Sequence, residues 1–254
     1  MKYVIVIVAA FLAGIINSVA GGGTLLTFPS LLAAGISSVA ANATSTVALV
    51  PASISAWWGY RGEGSDSWKE LAWLSAPSLA GGLVGALLVL RAGDSLFSRL
   101  VPWLILGATV LFIVQEPLRR WMAGRRQGEE KPAWPMIALF QLIVAVYGGF
   151  FGAGIGIMML ASLGLAGMSN IHHMNRLKNF AAVCINGVAA LTFIFAPRHQ
   201  VDWLFVTLML AGSIPGGYAG AWVARKVGQT TVKRAVIVIG LCIGAYMLKK
   251  QLFG

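Results

Sequence analysis

Two short stretches of the chain hold the side chains best able to do chemistry. One reads "ANATST" and supplies Asn42, Thr44, Ser45 and Thr46; the other reads "HHMNRLKN" and supplies His172, His173, Asn175, Arg176, Lys178 and Asn179. Amides, hydroxyls and an ammonium donate hydrogen bonds to negatively charged oxygen, and an arginine can add a bidentate grip. The chemistry they suit is recognition of a small oxyanion. Lys178 and Asn179 run on into apolar sequence, so they are preferred over Arg176; a reading in which Arg176 and Lys178 only cap a helix on the cytoplasmic face stays open. His172 and His173 are adjacent and point to different faces of any helix, which fits a loop or interface better than a metal site.

Each stretch follows a run of glycine. Gly21-Gly22-Gly23-Thr24 precedes the first, and Gly152-Ala153-Gly154-Ile155-Gly156 the second. Both runs lie in apolar sequence, where helix is expected and glycine is a poor helix former. In hydrocarbon an unpaired backbone N–H or C=O costs several kcal/mol, so broken backbone survives only inside protein or along a polar cavity. The breaks are therefore expected to end one half-helix and begin another near mid-membrane. The second half-helix, starting near Thr24 or Ile157, then presents free N–H groups and a positive dipole end to an anion. The predicted site is Gly22, Gly23, Thr24, Asn42, Thr44 and Ser45 from one half, with Gly154, Gly156, Asn175, Lys178 and Asn179 from the other. A reading in which the glycines serve close helix packing alone stays open; for Gly81/Gly85 and Gly216/Gly220, both GxxxG pairs, packing is the expected role.

The elements that must position these residues follow from composition. The chain has 254 residues, 58% hydrophobic and 11% charged, with mean hydropathy +0.80. A soluble domain carries roughly a quarter charged residues. Residues 3–60, 71–90, 179–197 and 203–224 hold no charge at all. About 20 apolar residues cross a bilayer as a helix, and period-2 alternation is absent. The fold class is an all-α polytopic membrane protein. The net charge of +11 belongs to loops under the positive-inside rule, not to nucleic-acid binding. Cys184 and Cys242 lie in apolar segments and are expected to be unpaired, and the N-terminal apolar run reads as a retained first segment.

The chain is also duplicated. A shift of 135 places Trp68 on Trp203, Ser78 on Ser213, and Gly81, Gly82 and Gly85 on Gly216, Gly217 and Gly220. A slightly smaller shift places Ala20–Gly23 on Ala153–Gly156 and Gly35–Val39 on Gly167–Ile171. The expected organisation is a first repeat over 1–116, a basic cytoplasmic linker over 117–132 and a second repeat over 133–254. Each repeat has four apolar blocks, at about 3–35, 40–60, 69–90 and 99–116, then 134–167, 177–197, 203–224 and 233–252. If each interrupted block returns to its starting face, one face holds 13 basic residues against 6. That layout makes the repeats inverted, each a Gly-broken hairpin plus about three crossing helices. Charge alone does not separate a re-entrant hairpin from two full crossings.

Other features read as structural. Asp202-Trp203, and its counterpart Asp66-Ser67-Trp68, look like N-caps followed by an interfacial aromatic. All eight acidic residues sit in or beside loops. No HExxH, GxSxG, phosphate loop or CxxC occurs, so no catalytic residue, metal or cofactor is expected and ATP drive from this chain is excluded.

These motifs resemble the TauE/SafE family of sulfite exporters and related anion permeases. The resemblance rests on Gly21–Pro29 followed by Ala41–Thr46, on Gly59-Tyr60-Arg61, on Lys178-Asn179, on Gln200–Trp203 and on Gly216–Ala221 with Arg225. It covers essentially the whole chain; His172-His173 stands where family members more often show small residues. The resemblance implies a multi-pass inner (plasma) membrane transporter of small sulfur-containing or organic anions, often an exporter, built from two repeats. The expected partners are a small anion and the lipid bilayer, with a homodimer left open. The expected mechanism is alternating access at a midplane site, with no coupled proton needed: expelling one negative charge gains roughly 2.3 kcal/mol per 100 mV. An anion channel and a non-transporting structural or accessory protein are the alternatives.

Overall fold

The computed structural model describes residues 2–19, 21–60, 67–124, 134–165, 168, 170–197, 200–226 and 229–253. Among them are nine helices and no strand: α1 (Lys2–Val19), α2 (Thr24–Ala33), α3 (Ser38–Gly59), α4 (Trp68–Gly124), α5 (Trp134–Phe150), α6 (Ile155–Leu165), α7 (Ile171–Ile194), α8 (Trp203–Lys226) and α9 (Gln229–Phe253). The expected gap between 90 and 99 narrows to one residue, Gly93 (φ 67°, ψ 176°), which divides α4 into two segments. Helix α4 also continues to Gly124, into the expected linker, whose residues 125–132 lie outside the described ones, as does Asp66.

The helices start and stop for local reasons. Asp202 accepts from Phe205 N–H at 3.2 Å and so caps α8. Ser67 Oγ accepts from Lys69 N–H while Glu70 accepts from Ser67 N–H, a capping box opening α4. Gly21 (φ 69°) closes α1, its N–H returning to Ile16 O and Asn17 O at 3.1 Å. The positive φ favours glycine, which has no Cβ to clash there. Gly152 closes α5 in the same way, onto Tyr147 O.

Helices α3, α7 and residues 68–114 of α4 are long and apolar enough to cross a membrane. Helix α2 has 10 residues and α6 has 11, about 15 and 17 Å at 1.5 Å per residue, roughly half a 30 Å hydrocarbon core. Neither crosses it alone. The exterior is apolar and the interior partly polar: Val4 and Leu139 are each 62% exposed, whereas Asn42, Lys178 and Asn179 are each 1% exposed. That inversion suits lipid surroundings.

Packing exchanges elements between the halves. Helix α1 runs alongside α8, where an added Cβ on Gly14 would sit 2.5 Å from Ser213 O and 2.6 Å from Gly217 N. Helix α5 runs alongside the first segment of α4, with Gly149 against Gly82 and Gly81 against Ala145 and Leu142. Both GxxxG pairs thus seat a neighbouring backbone. Helices α3 and α7 pass in opposite directions, since Asn186 bonds Ser53 while Phe180 packs on Trp57. The second segment of α4 and α9 do likewise, with Thr109 against Gly240 and Ile105 against Gly244. Phe28, Phe97, Phe150 and Phe151 form a cluster of edge-on rings that joins α2, α4 and the end of α5.

Gly14→Ala is expected to lower the melting temperature in detergent, through a loss of about 1–3 kcal/mol. Gly107→Ala, whose methyl meets nothing within 4 Å, is expected to stay within about 1 kcal/mol of wild type. A Gly14→Ala protein as stable as wild type contradicts the close seating of α1 on α8.

Candidate functional site: two helix breaks in contact

The two glycine runs break their helices, and the breaks meet. A Cβ built on Gly21 would lie 2.5 Å from Gly156 Cα and 2.6 Å from Gly156 N, and one on Gly22 would lie 3.6 Å from Gly154 N. Backbone therefore touches backbone, and no side chain fits between. Gly154 (φ 79°) turns the chain into α6, whereas Gly23, already helical at φ −54°, caps the start of α2. Helix α2 has no side-chain cap. The first N–H groups of a helix have no partner within it, so this start offers donors and a positive dipole end. Phe112, from the second segment of α4, closes over Gly22: its Cζ would lie 2.5 Å from an added Cβ.

Each break also leaves carbonyls at the end of the preceding helix, and each set is met by a side chain from the other half. At the end of α1, the Lys178 ammonium donates to Ser18 O at 2.9 Å and to Asn17 O at 3.3 Å. At the end of α5, Asn42 Nδ2 donates to Phe150 O at 3.2 Å. One clamp is charged and the other neutral. A cation at a helix C-terminus also meets the negative end of the dipole, which a neutral amide does to a lesser degree. Tyr147 O–H adds a bond to Ala153 O at 2.8 Å, inside the second break.

The predicted residues divide into groups. Gly22, Gly23, Gly154 and Gly156 form the paired breaks, and Thr24 begins α2 with its Oγ1 toward Gly152. Asn42 and Lys178 clamp the helix ends. Ser45 shares a 2.6 Å hydrogen bond with Thr27, tying α3 to α2. Thr44 turns away from the breaks: its Oγ1 accepts from Asp202 N–H at the start of α8. Asn175 donates Nδ2 to Ile171 O of its own helix. Asn179 is buried, and its Nδ2 finds no partner among the described residues. His173 pairs with Glu70 at 3.3 Å, joining α7 to α4 at an interface.

Sequence reading missed a buried node between α1, α3 and α7. Ser53 Oγ accepts from Asn17 Nδ2 at 3.1 Å and from Asn186 Nδ2 at 3.4 Å, and donates to Leu49 O. The available signal was spacing: Asn175, Asn179 and Asn186 recur at i, i+4 and i+11, one face of a helix.

The family model described as "Sulfite exporter TauE/SafE" matches residues 6–247. A "Probable membrane transporter protein" of Haemophilus influenzae is 28% identical over 95% of this chain and 92% of its own length. "Probable membrane transporter protein ORF9" of Sinorhizobium sp is 28% identical over 95% of this chain and 90% of its own. "Probable membrane transporter protein YfcA" of Escherichia coli K12 is 30% identical over 94% of this chain and 87% of its own. No solved structure matches. With the match running through both glycine breaks and both polar stretches, the chain belongs to the TauE/SafE sulfite exporter family of membrane transporters.

Proposed function

We propose that this protein is a carrier of small anions such as sulfite or organosulfonates. It exports them across the plasma (inner) membrane by alternating access at a midplane site between two inverted repeats. The observation that carries the proposal is the contact of the two breaks, Gly21 on Gly156. Half-helix starts brought together inside an apolar protein concentrate N–H donors where an anion would otherwise find none. In this conformation Gly21 and Gly156 close the passage, and transport requires them to part.

Further observations support the finer features. The opposed directions of α3 and α7, and of α4 and α9, are those expected of repeats related by an axis in the membrane plane. The half-depth lengths of α2 and α6 favour re-entrant hairpins over double crossings. Re-entry gathers the loops near 61–70, 117–131, 167–178 and 225–234 on one face, the cytoplasmic one by its excess of Lys and Arg. No carboxylate is among the buried side chains of the described residues, consistent with anion export driven by the inside-negative potential without a coupled proton. The substrate moves without covalent chemistry. Lys178 acts by holding the end of α1 in place beside the first break.

Three measurements test this reading in proteoliposomes. Sulfite efflux should rise as the side holding the substrate is made more negative; flux of a charged anion indifferent to the potential contradicts the uncoupled carrier. Gly22→Leu, whose side chain must displace Phe112, should cut flux at least about tenfold while the protein still inserts; unchanged flux removes Gly22 from the passage. Lys178→Gln exchanges a charged clamp for a neutral one and should cut flux roughly tenfold to a hundredfold, with Lys178→Arg retaining more. Equal flux in all three proteins rules out the clamp.

A further inference from the structure

Asn42 and Asn175 occupy the same place in the two copies. They are 133 residues apart, the offset that also relates Gly21 to Gly154 and Ser53 to Asn186. Both are 1% exposed. Each commits its amide nitrogen to a backbone carbonyl: Asn42 Nδ2 to Phe150 O at 3.2 Å, Asn175 Nδ2 to Ile171 O at 3.0 Å. Those bonds settle which end of each amide is the oxygen, because a carbonyl accepts only from N–H. Each Oδ1 is then a buried acceptor, and neither finds a hydrogen-bond partner among the described residues.

A buried acceptor without a donor costs about 1–3 kcal/mol. One such atom can be an accident of packing, but two at equivalent positions, one on the side chain that bonds the end of α5 and one a helical turn from Lys178, which bonds the end of α1, are a feature of the interior. A bare oxyanion does nothing for them, because its oxygens are acceptors as well and would be repelled. Two donors are also at hand: Asn179 Nδ2 and Ser18 Oγ are buried without a partner among the described residues. The complementary ligand carries negative oxygens for these donors and a hydrogen of its own for the acceptor.

We infer that the substrate is a monoanion bearing its own hydrogen-bond donor, a hydrogen-oxyanion or an amino-substituted oxyanion. Its O–H or N–H is received by Asn175 Oδ1 on one side of the paired breaks and by Asn42 Oδ1 on the other. This inference rests on the anion-carrier reading above and adds to it the donor requirement.

Sulfamate and methanesulfonate provide the test. They share charge and nearly share shape, but sulfamate has N–H groups where methanesulfonate has a methyl. Wild-type protein in liposomes should carry sulfamate about tenfold faster than methanesulfonate or more, and Asn42→Leu and Asn175→Leu should each bring the ratio toward one. Equal rates for the two anions in the wild type overturn the donor requirement and leave the anion carrier standing. No flux of either, nor of sulfite, overturns both. The wild-type ratio decides even where a variant fails to insert.

Discussion

Broken backbone inside an apolar protein is the constraint from which the rest of this structure follows. A helix satisfies its own peptide groups except at its ends, and here four ends are gathered at the paired breaks. The α1 and α5 ends present carbonyls, and the α2 and α6 starts present N–H groups. Helices α3 and α7 supply what the carbonyls need, through Asn42 and Lys178. The glycines of α4 and α8 let the outer helices seat closely on α5 and α1, so the breaks stay enclosed. The helix starts bring N–H groups to the same place, and N–H donors are the chemistry an anion would use.

The two helix ends at the breaks are held by groups of unlike charge. The α1 end is held by an ammonium with two carbonyl partners, and α1 is tied again through Asn17 to Ser53. The α5 end is held by one neutral amide. Charge-assisted bonds are roughly twice as strong as neutral ones. The end of α1 is therefore held more firmly than the end of α5.

Much of the architecture was legible in the sequence because it is written in local terms. Positive-φ glycines at 21 and 152 end helices, and charge-free blocks of about 20 residues become helices. Asp202 caps α8 as its position suggests. Other features are tertiary. Lys178 meets α1 across about 160 residues of chain, and nothing near it in sequence names that partner. Thr44 belongs to the same short stretch as Asn42 and Ser45, yet the helical turn points it toward Asp202 instead of the breaks. Neighbours in sequence are not neighbours on a helix. The 90–99 gap was overestimated because one left-handed glycine suffices to redirect α4.

The central claim is that the interrupted helices separate around a bound anion. The most direct measurement is a structure of the protein in lipid with sulfite at saturating concentration. The account predicts anion density within hydrogen-bond reach of the N–H groups at residues 22–24 or 154–156, with Gly21 and Gly156 no longer touching. Density lying elsewhere while those two glycines remain in contact would contradict it.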